Sequence, residues 1–199
     1  FSGPAWLPAA FFLLIAMLVP FAIGPDPRLL ERVAAGALWI ATLTAALLPV
    51  ERLIEPDRAD GVLDQLFVRG IADESVAAAK ILGHWLAFGP LLLASALAGA
   101  LLLRLPVEQL PGLLAALALG SMGLAALAVA VAALTAGLPR AGALAGLLLL
   151  PVAVPLLIFG AAASGEGDLS ALMLEAAVVL VILAGAPFAA GAAIRAGRT

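Results

Sequence analysis

Few side chains in this 199-residue sequence have the chemistry to catalyse a reaction. There is no cysteine, which removes disulfides, thiolate metal sites and cysteine nucleophiles. The one lysine, Lys80, follows Ala77–Ala79 and not the glycine cradle of a phosphate-binding loop, so any use of ATP requires another chain. Gly120-Ser121-Met122-Gly123 has the outline of a serine nucleophile turn. A serine needs a base, however, and the one histidine, His84, belongs to a different apolar stretch. A small-residue packing patch is the expected role of this segment. His84 beside Trp85 reads as an interfacial pair at headgroup level, and a single imidazole is a slender basis for haem ligation. Glu175 lies seven residues past Asp168, within about two helical turns of an interface, and is expected to reach water or headgroups. No catalytic residue and no metal site are expected, and the chain is not read as an enzyme.

The elements that carry these side chains follow from composition. The sequence is 65% hydrophobic and 12% charged, with a mean hydropathy of +1.21, more apolar surface than a soluble fold can hide. A net charge of −3 offers no basic face for nucleic acid. Six stretches run without a charged side chain: Phe1–Pro25, Val33–Val50, Ile81–Leu103, Gln109–Pro139, Ala141–Gly165 and Ala176–Ile194. Each approaches the roughly 20 residues that cross a hydrocarbon core, and the bilayer requires backbone pairing within the segment, so all are expected as helices. The spacing predicts one all-α transmembrane domain over residues 1–199, with six spans near 5–23, 33–50, 81–103, 111–137, 142–162 and 171–193. Gly142-x-x-x-Gly146 and Ser95-x-x-x-Gly99 are small-residue pairs for close helix approach, and Pro151 and Pro155 are expected to bend the fifth span.

Asp26–Arg32, Arg104–Glu108, Arg140 and Glu166–Asp168 form short junctions. The exception is Glu51–Lys80, with seven acidic and four basic residues. Seven lysines and arginines on its side of the membrane against three on the other place this loop and both termini in the cytoplasm. The sequence begins with Phe1, and a further N-terminal piece is expected ahead of it. Within the loop, Asp60 is the expected N-cap of a short helix. Val62, Leu63, Leu66 and Phe67 share one face at helical spacing, with Asp64 and Gln65 opposite. Acidic flanks repel anionic lipid, so this face suits a protein partner. Asp73-Glu74-Ser75 is a second helix start, leading into the third span.

Several blocks resemble the haem exporter protein B family of cytochrome c maturation. They are Pro20-Phe21-Ala22-Ile23-Gly24-Pro25-Asp26, Gly36-x-Leu38-Trp39-Ile40, and Glu51-Arg52-Leu53 with Asp57 and Asp60-Gly61-x-Leu63-Asp64-Gln65-Leu66. They continue through Ala79-Lys80-Ile81-Leu82-Gly83-His84-Trp85, Leu150-Pro151 to Pro155-Leu156-Leu157-Ile158-Phe159-Gly160, and Ala186-Pro187-Phe188-Ala189-Ala190. The resemblance covers almost the whole chain in order. Departures are Ala35, where members often have proline, the unusual Glu55-Pro56, and Val68-Arg69-Gly70, where a Ser-Pro turn is common.

The resemblance implies an exporter-type membrane subunit of an ATP-binding-cassette complex in the bacterial inner membrane. Two copies would pair with two copies of a separate ATPase that binds Mg-ATP, beside a haem-handling membrane protein and a small single-span subunit. ATP hydrolysis would drive haem export or release of a haem-loaded periplasmic chaperone. Haem enters as cargo, with no residue of this chain assigned to hold it. The loop would be a coupling helix, with Leu63, Leu66 and Phe67 inserted into the ATPase and Glu51, Arg52, Asp57, Asp60, Gly61 and Asp64 at or around the contact. Gly24, Pro25 and Asp26 form a candidate contact for periplasmic partners. An exporter permease for another substrate and a non-transporting scaffold that relays ATPase motion are the alternatives.

Overall fold

The computed structural model describes residues 6–165 and 168–198. Residue 5 of the expected first span, Glu166 of the expected last junction, and Phe1–Ala5 at the start of the first apolar stretch lie outside the described residues. All regular structure within them is helical: α1 (Leu7–Ile23), α2 (Pro27–Leu47), α3 (Glu51–Ala59), α4 (Val62–Val68), α5 (Asp73–Leu102), a 3-10 turn at Val107–Gln109, α6 (Leu110–Thr135), α7 (Ala141–Ala163) and α8 (Leu169–Ala196).

Five helical stretches are long and apolar enough to cross a membrane: Pro27–Ala59, Asp73–Leu102, Val107–Thr135, Ala141–Ala163 and Leu169–Ala196. With 17 residues, α1 is shorter than these. The helix starts are set by local chemistry. Pro27 opens α2 at the position where a missing N–H is harmless, and the Asp26 side chain caps it by accepting from Arg28 N–H at 2.9 Å. Asp168 caps α8 in the same way through Ser170 N–H at 2.9 Å. Asp73 and Glu74 occupy the first turn of α5, where their charge suits the helix dipole, so this helix is already formed well before its apolar stretch begins.

The packing is a ring around an axis. In order, α1, α2, α7, α8 and α5 each touch the next, and α5 closes back on α1, while α6 runs up the centre against α2, α5, α7 and α8. Its sequence suits that place, because Ala, Gly and Leu dominate it and small residues let helix backbones approach. The outward faces of the ring are apolar instead of polar: Phe21, Leu101, Leu147, Leu180 and Val181 are all exposed. That pattern is inverted relative to a soluble bundle and matches a hydrocarbon solvent. Of the two small-residue pairs, Gly99 does mark a close approach, with a Cβ there meeting the side chains of Leu38 and Phe12. Gly142 lies against the Glu51 carboxylate, whereas Gly146 faces open space. Pro151 and Pro155 both lie inside α7, which continues through them.

Candidate functional site

The polar segment between the second and third apolar helices is a built structure at one end of the bundle. After α2 the chain turns at 48–50 into α3, whose Leu53 and Ile54 are buried against the bundle while Arg52 and Asp60 are exposed. Glu55 accepts from both Arg58 (2.8 and 3.1 Å) and the backbone N–H of Gly137 (2.7 Å), which fastens α3 to the α6–α7 turn. Lys80 on α5 donates to the Leu53 carbonyl at 2.7 Å and pairs with Asp57. The glutamate, the aspartate and the one lysine therefore hold α3 in place.

A tight reversal joins α3 to α4. Asp60 donates its N–H to the Pro56 carbonyl and closes α3, and Gly61 takes φ +71°, a left-handed conformation that favours glycine. The expected N-cap at Asp60 is thus corrected. The position before α4 is Gly61, because a preceding helix already uses Asp60 as its C-cap. At its other end α4 finishes in a paired closure. Ile71 N–H donates to the Leu66 carbonyl and Gly70 N–H to that of Phe67, with Gly70 at φ +78°.

The expected docking face is also corrected in part. Leu63 is 5% exposed and belongs to the protein's own core, and Leu66 is half-buried against it. Neither is presented outward as Phe67 (56% exposed) and Val68 (84% exposed) are. Of the acidic residues, Asp57 pairs with Lys80 and Asp64 with Arg198, so only Asp60 among the three is both exposed and clear of a cation within the described residues. The outward surface of α4 is therefore an aromatic-aliphatic tip flanked by Gln65 and Arg69.

Reading the sequence missed the group that organises this corner. Arg198, just past α8, donates to both carboxylate oxygens of Asp73 (2.6 and 2.9 Å), to Asp64 (3.2 Å) and to the Leu63 carbonyl (3.1 Å). Its guanidinium also lies 4.5 Å from the centroid of the Phe67 ring. Arg195 pairs with Glu74 one turn earlier. The signal was present in the acid-rich Asp64–Glu74 segment and the basic tail, but no spacing rule pairs residues so far apart.

At the Gly24–Asp26 turn, Gly24 has φ +91° and the Asp26 carboxylate is engaged in capping α2. The turn is largely exposed.

Within the bundle one expectation, for Glu175, is overturned. His84 is buried, its ring tilted against that of Phe88 with centroids 4.8 Å apart. Its neighbour Trp85 donates to Ser121 Oγ at 3.0 Å and lines an apolar groove of about 300 Å³ with Ile81, Leu82, Met122, Leu183 and Pro187. Glu175, expected to reach water or headgroups, does not reach water. It is 0% exposed, and neither carboxylate oxygen has a hydrogen-bond partner among the described residues. It faces Gly120 of α6 at the point where the Trp39 indole also comes closest. Trp39 donates to Ser164 Oγ at 3.1 Å and lies between Gly120 and Gly160, so α2, α6, α7 and α8 meet around one indole. No group of three or more metal-ligating side chains occurs among the described residues.

An all-helical bundle with an apolar exterior, and with five helical stretches long and apolar enough to cross a membrane, defines a multi-span membrane protein with a clamped two-helix cap at one end. Residues 2–197 match the family model described as CcmB protein, and the chain belongs to that family. It is 45% identical to Heme exporter protein B of Paracoccus denitrificans over 98% of this chain and 91% of the relative. It is 40% identical to the protein of that name from Haemophilus influenzae (97% and 88%) and 39% identical to that of Escherichia coli K12 (98% and 89%).

Proposed function

We propose that this chain is the membrane permease subunit of an ATP-driven complex serving haem export in cytochrome c maturation, and that α3 and α4 are its coupling element. The family match over residues 2–197 carries this reading. In it, α1 is the first of six crossings of the bacterial inner membrane, and both termini and the α3–α4 cap face the cytoplasm. A separate ATPase binds Mg-ATP and receives the exposed Phe67–Val68 tip, with Asp60 and Arg69 at its margin. Two copies of this chain pair with two ATPases. The Gly24–Asp26 turn faces the periplasm, toward the haem-handling partners and the chaperone.

The clamps on α3 support a coupling role. An ion pair and a hydrogen bond to α5, with a hydrogen bond to the α6–α7 turn, make the cap stiff, so force on the tip is delivered to the bundle instead of being absorbed by a loose loop. A relay without its own pathway is the second reading, favoured because α6 fills the centre of the ring and so occupies the place of a channel through one protomer.

Two measurements test the proposal. Cells lacking this gene are expected to lose haem-stained c-type cytochromes, with recovery from the wild-type gene but not from Gly61→Pro, whose ring cannot adopt φ +71°. Normal cytochromes in the deletion strain would reject the pathway. Because the chain has no cysteine, Phe67→Cys provides a unique thiol that is expected to crosslink to a cysteine on the ATPase in at least one nucleotide state. A thiol that never crosslinks would reject the docking role.

A further inference from the structure

Three elements converge on the guanidinium of Arg198: α4, through the Leu63 carbonyl, Asp64 and Phe67; the first turn of α5, through Asp73; and the end of α8, which carries the arginine. Covalent connection links α4 only to α3 and α5. Its packing as a helix is chiefly on α3, and α8 packs on α5, α6 and α7. The Arg198 side chain thus bridges two elements that the chain itself does not join. The bridge is well built. Asp73 is 4% exposed and is gripped by both arms of the guanidinium, a planar fork that a lysine cannot reproduce. The Phe67 ring stacked on that guanidinium is the same ring that forms the outward tip of α4.

We propose that Arg198 is a positioning residue that ties α4 to the end of α8, so that a displacement of α4 moves α8 directly. This rests on the reading of α4 as the element that an ATPase pushes. With the tie in place, motion reaches the α7–α8 side of the ring as well as α2 and α5, which α4 already commands through the chain. Arg195 makes the design separable. Its pairing with Glu74 keeps α8 on α5, and it also lies 4.0 Å from Asp73, so a cation remains near that buried carboxylate when Arg198 is removed. Arg198→Ala is therefore expected to fold while losing the link to α4.

The test uses the full chain with its ATPase in native membranes. Gln65→Cys, on the exposed flank of the tip, is crosslinked to the ATPase first, alone and combined with Arg198→Ala. Docking is expected in both, while haem-stained c-type cytochromes fall about tenfold in Arg198→Ala. Arg198→Lys is expected to lie between, because it keeps the charge and loses the fork. A readout of position accompanies these. Spin labels at Val68 and Ala192, both exposed, are expected to hold one distance across nucleotide states when Arg198 is present and to spread when it is replaced by alanine. No crosslink with Arg198 in place would overturn the coupling reading and this proposal together. A crosslink with unchanged cytochromes and an unchanged label distance in Arg198→Ala would overturn this proposal alone. Should the alanine variant fail to accumulate, wild-type values for Arg198→Lys in both readouts would overturn it.

Discussion

Gly160→Ala is expected to destabilise the bundle by about 2–3 kcal/mol, at the upper end of what over-packing costs. A Cβ at Gly160 would fall among Cζ2, Cε2 and Cη2 of the Trp39 indole, and one at Gly120 would meet Cη2 and Cζ3 of the same ring. The indole cannot yield. It is 1% exposed, walled by glycines on two helices, and its Nε1 is held by Ser164 one turn along α7. In a bilayer such contacts have unusual weight, because lipid tails are as apolar as leucine and association depends on close packing and interhelical hydrogen bonds. Trp39→Phe alone loses the Ser164 hydrogen bond and some packing, at a cost of about 1–2 kcal/mol. In the double variant the smaller ring leaves room for the new methyl, so its loss is expected to be smaller than the sum of the two. Reversible unfolding of the purified chain in mixed detergent micelles measures all four corners of this cycle. Strictly additive losses would mean that Trp39 and Gly160 do not share one slot.

How much of this arrangement the sequence discloses depends on the element. The long apolar stretches are legible as helices because the bilayer leaves no alternative. Which helix touches which is not legible, since α1, α6, α7 and α8 are apolar on every face and offer no stripe to orient them. Trp39 and Gly160 fall in two separate blocks that carry the family resemblance, yet their meeting depends on α2 and α7 being neighbours in the ring. The small-residue patch at Gly120–Gly123 is readable as packing, and it does receive Trp39 on one glycine and Leu156 and Val179 on the other. The face of α4 is misjudged for a different reason. Helical spacing groups Val62, Leu63, Leu66 and Phe67, but a seven-residue helix is held on one side only, and the bundle takes Leu63 and Leu66 while Phe67 turns out toward Arg198. Arg198 itself is legible only as a charge. Its partners, Asp64 and Asp73, are reached because α8 returns to the end of the bundle where α4 sits.

Glu175→Leu is expected to raise the stability of the isolated chain by about 1–3 kcal/mol, the range for relieving a buried polar group without a hydrogen-bond partner. Counting residues from Asp168 places Glu175 about two turns along α8, but a place along a helix is not a direction. The residue points inward, against Gly120 and the Trp39 indole, where headgroups cannot reach. Leucine is shorter and lacks the two oxygens that have no partner among the described residues. Glu175→Lys is the opposing control. A longer, charged side chain in a slot already closed by the indole is expected to prevent accumulation in the membrane. Detergent unfolding of Glu175→Leu reports stability, and haem staining of complemented deletion cells reports function. A loss of stability in the leucine variant would mean that the carboxyl group has a stabilising partner, and the packing account of this junction would fail. A gain in stability accompanied by loss of stained cytochromes would mean that the chain carries an unfavourable buried carboxyl because its work requires one, since most stabilising substitutions away from a working site leave function intact.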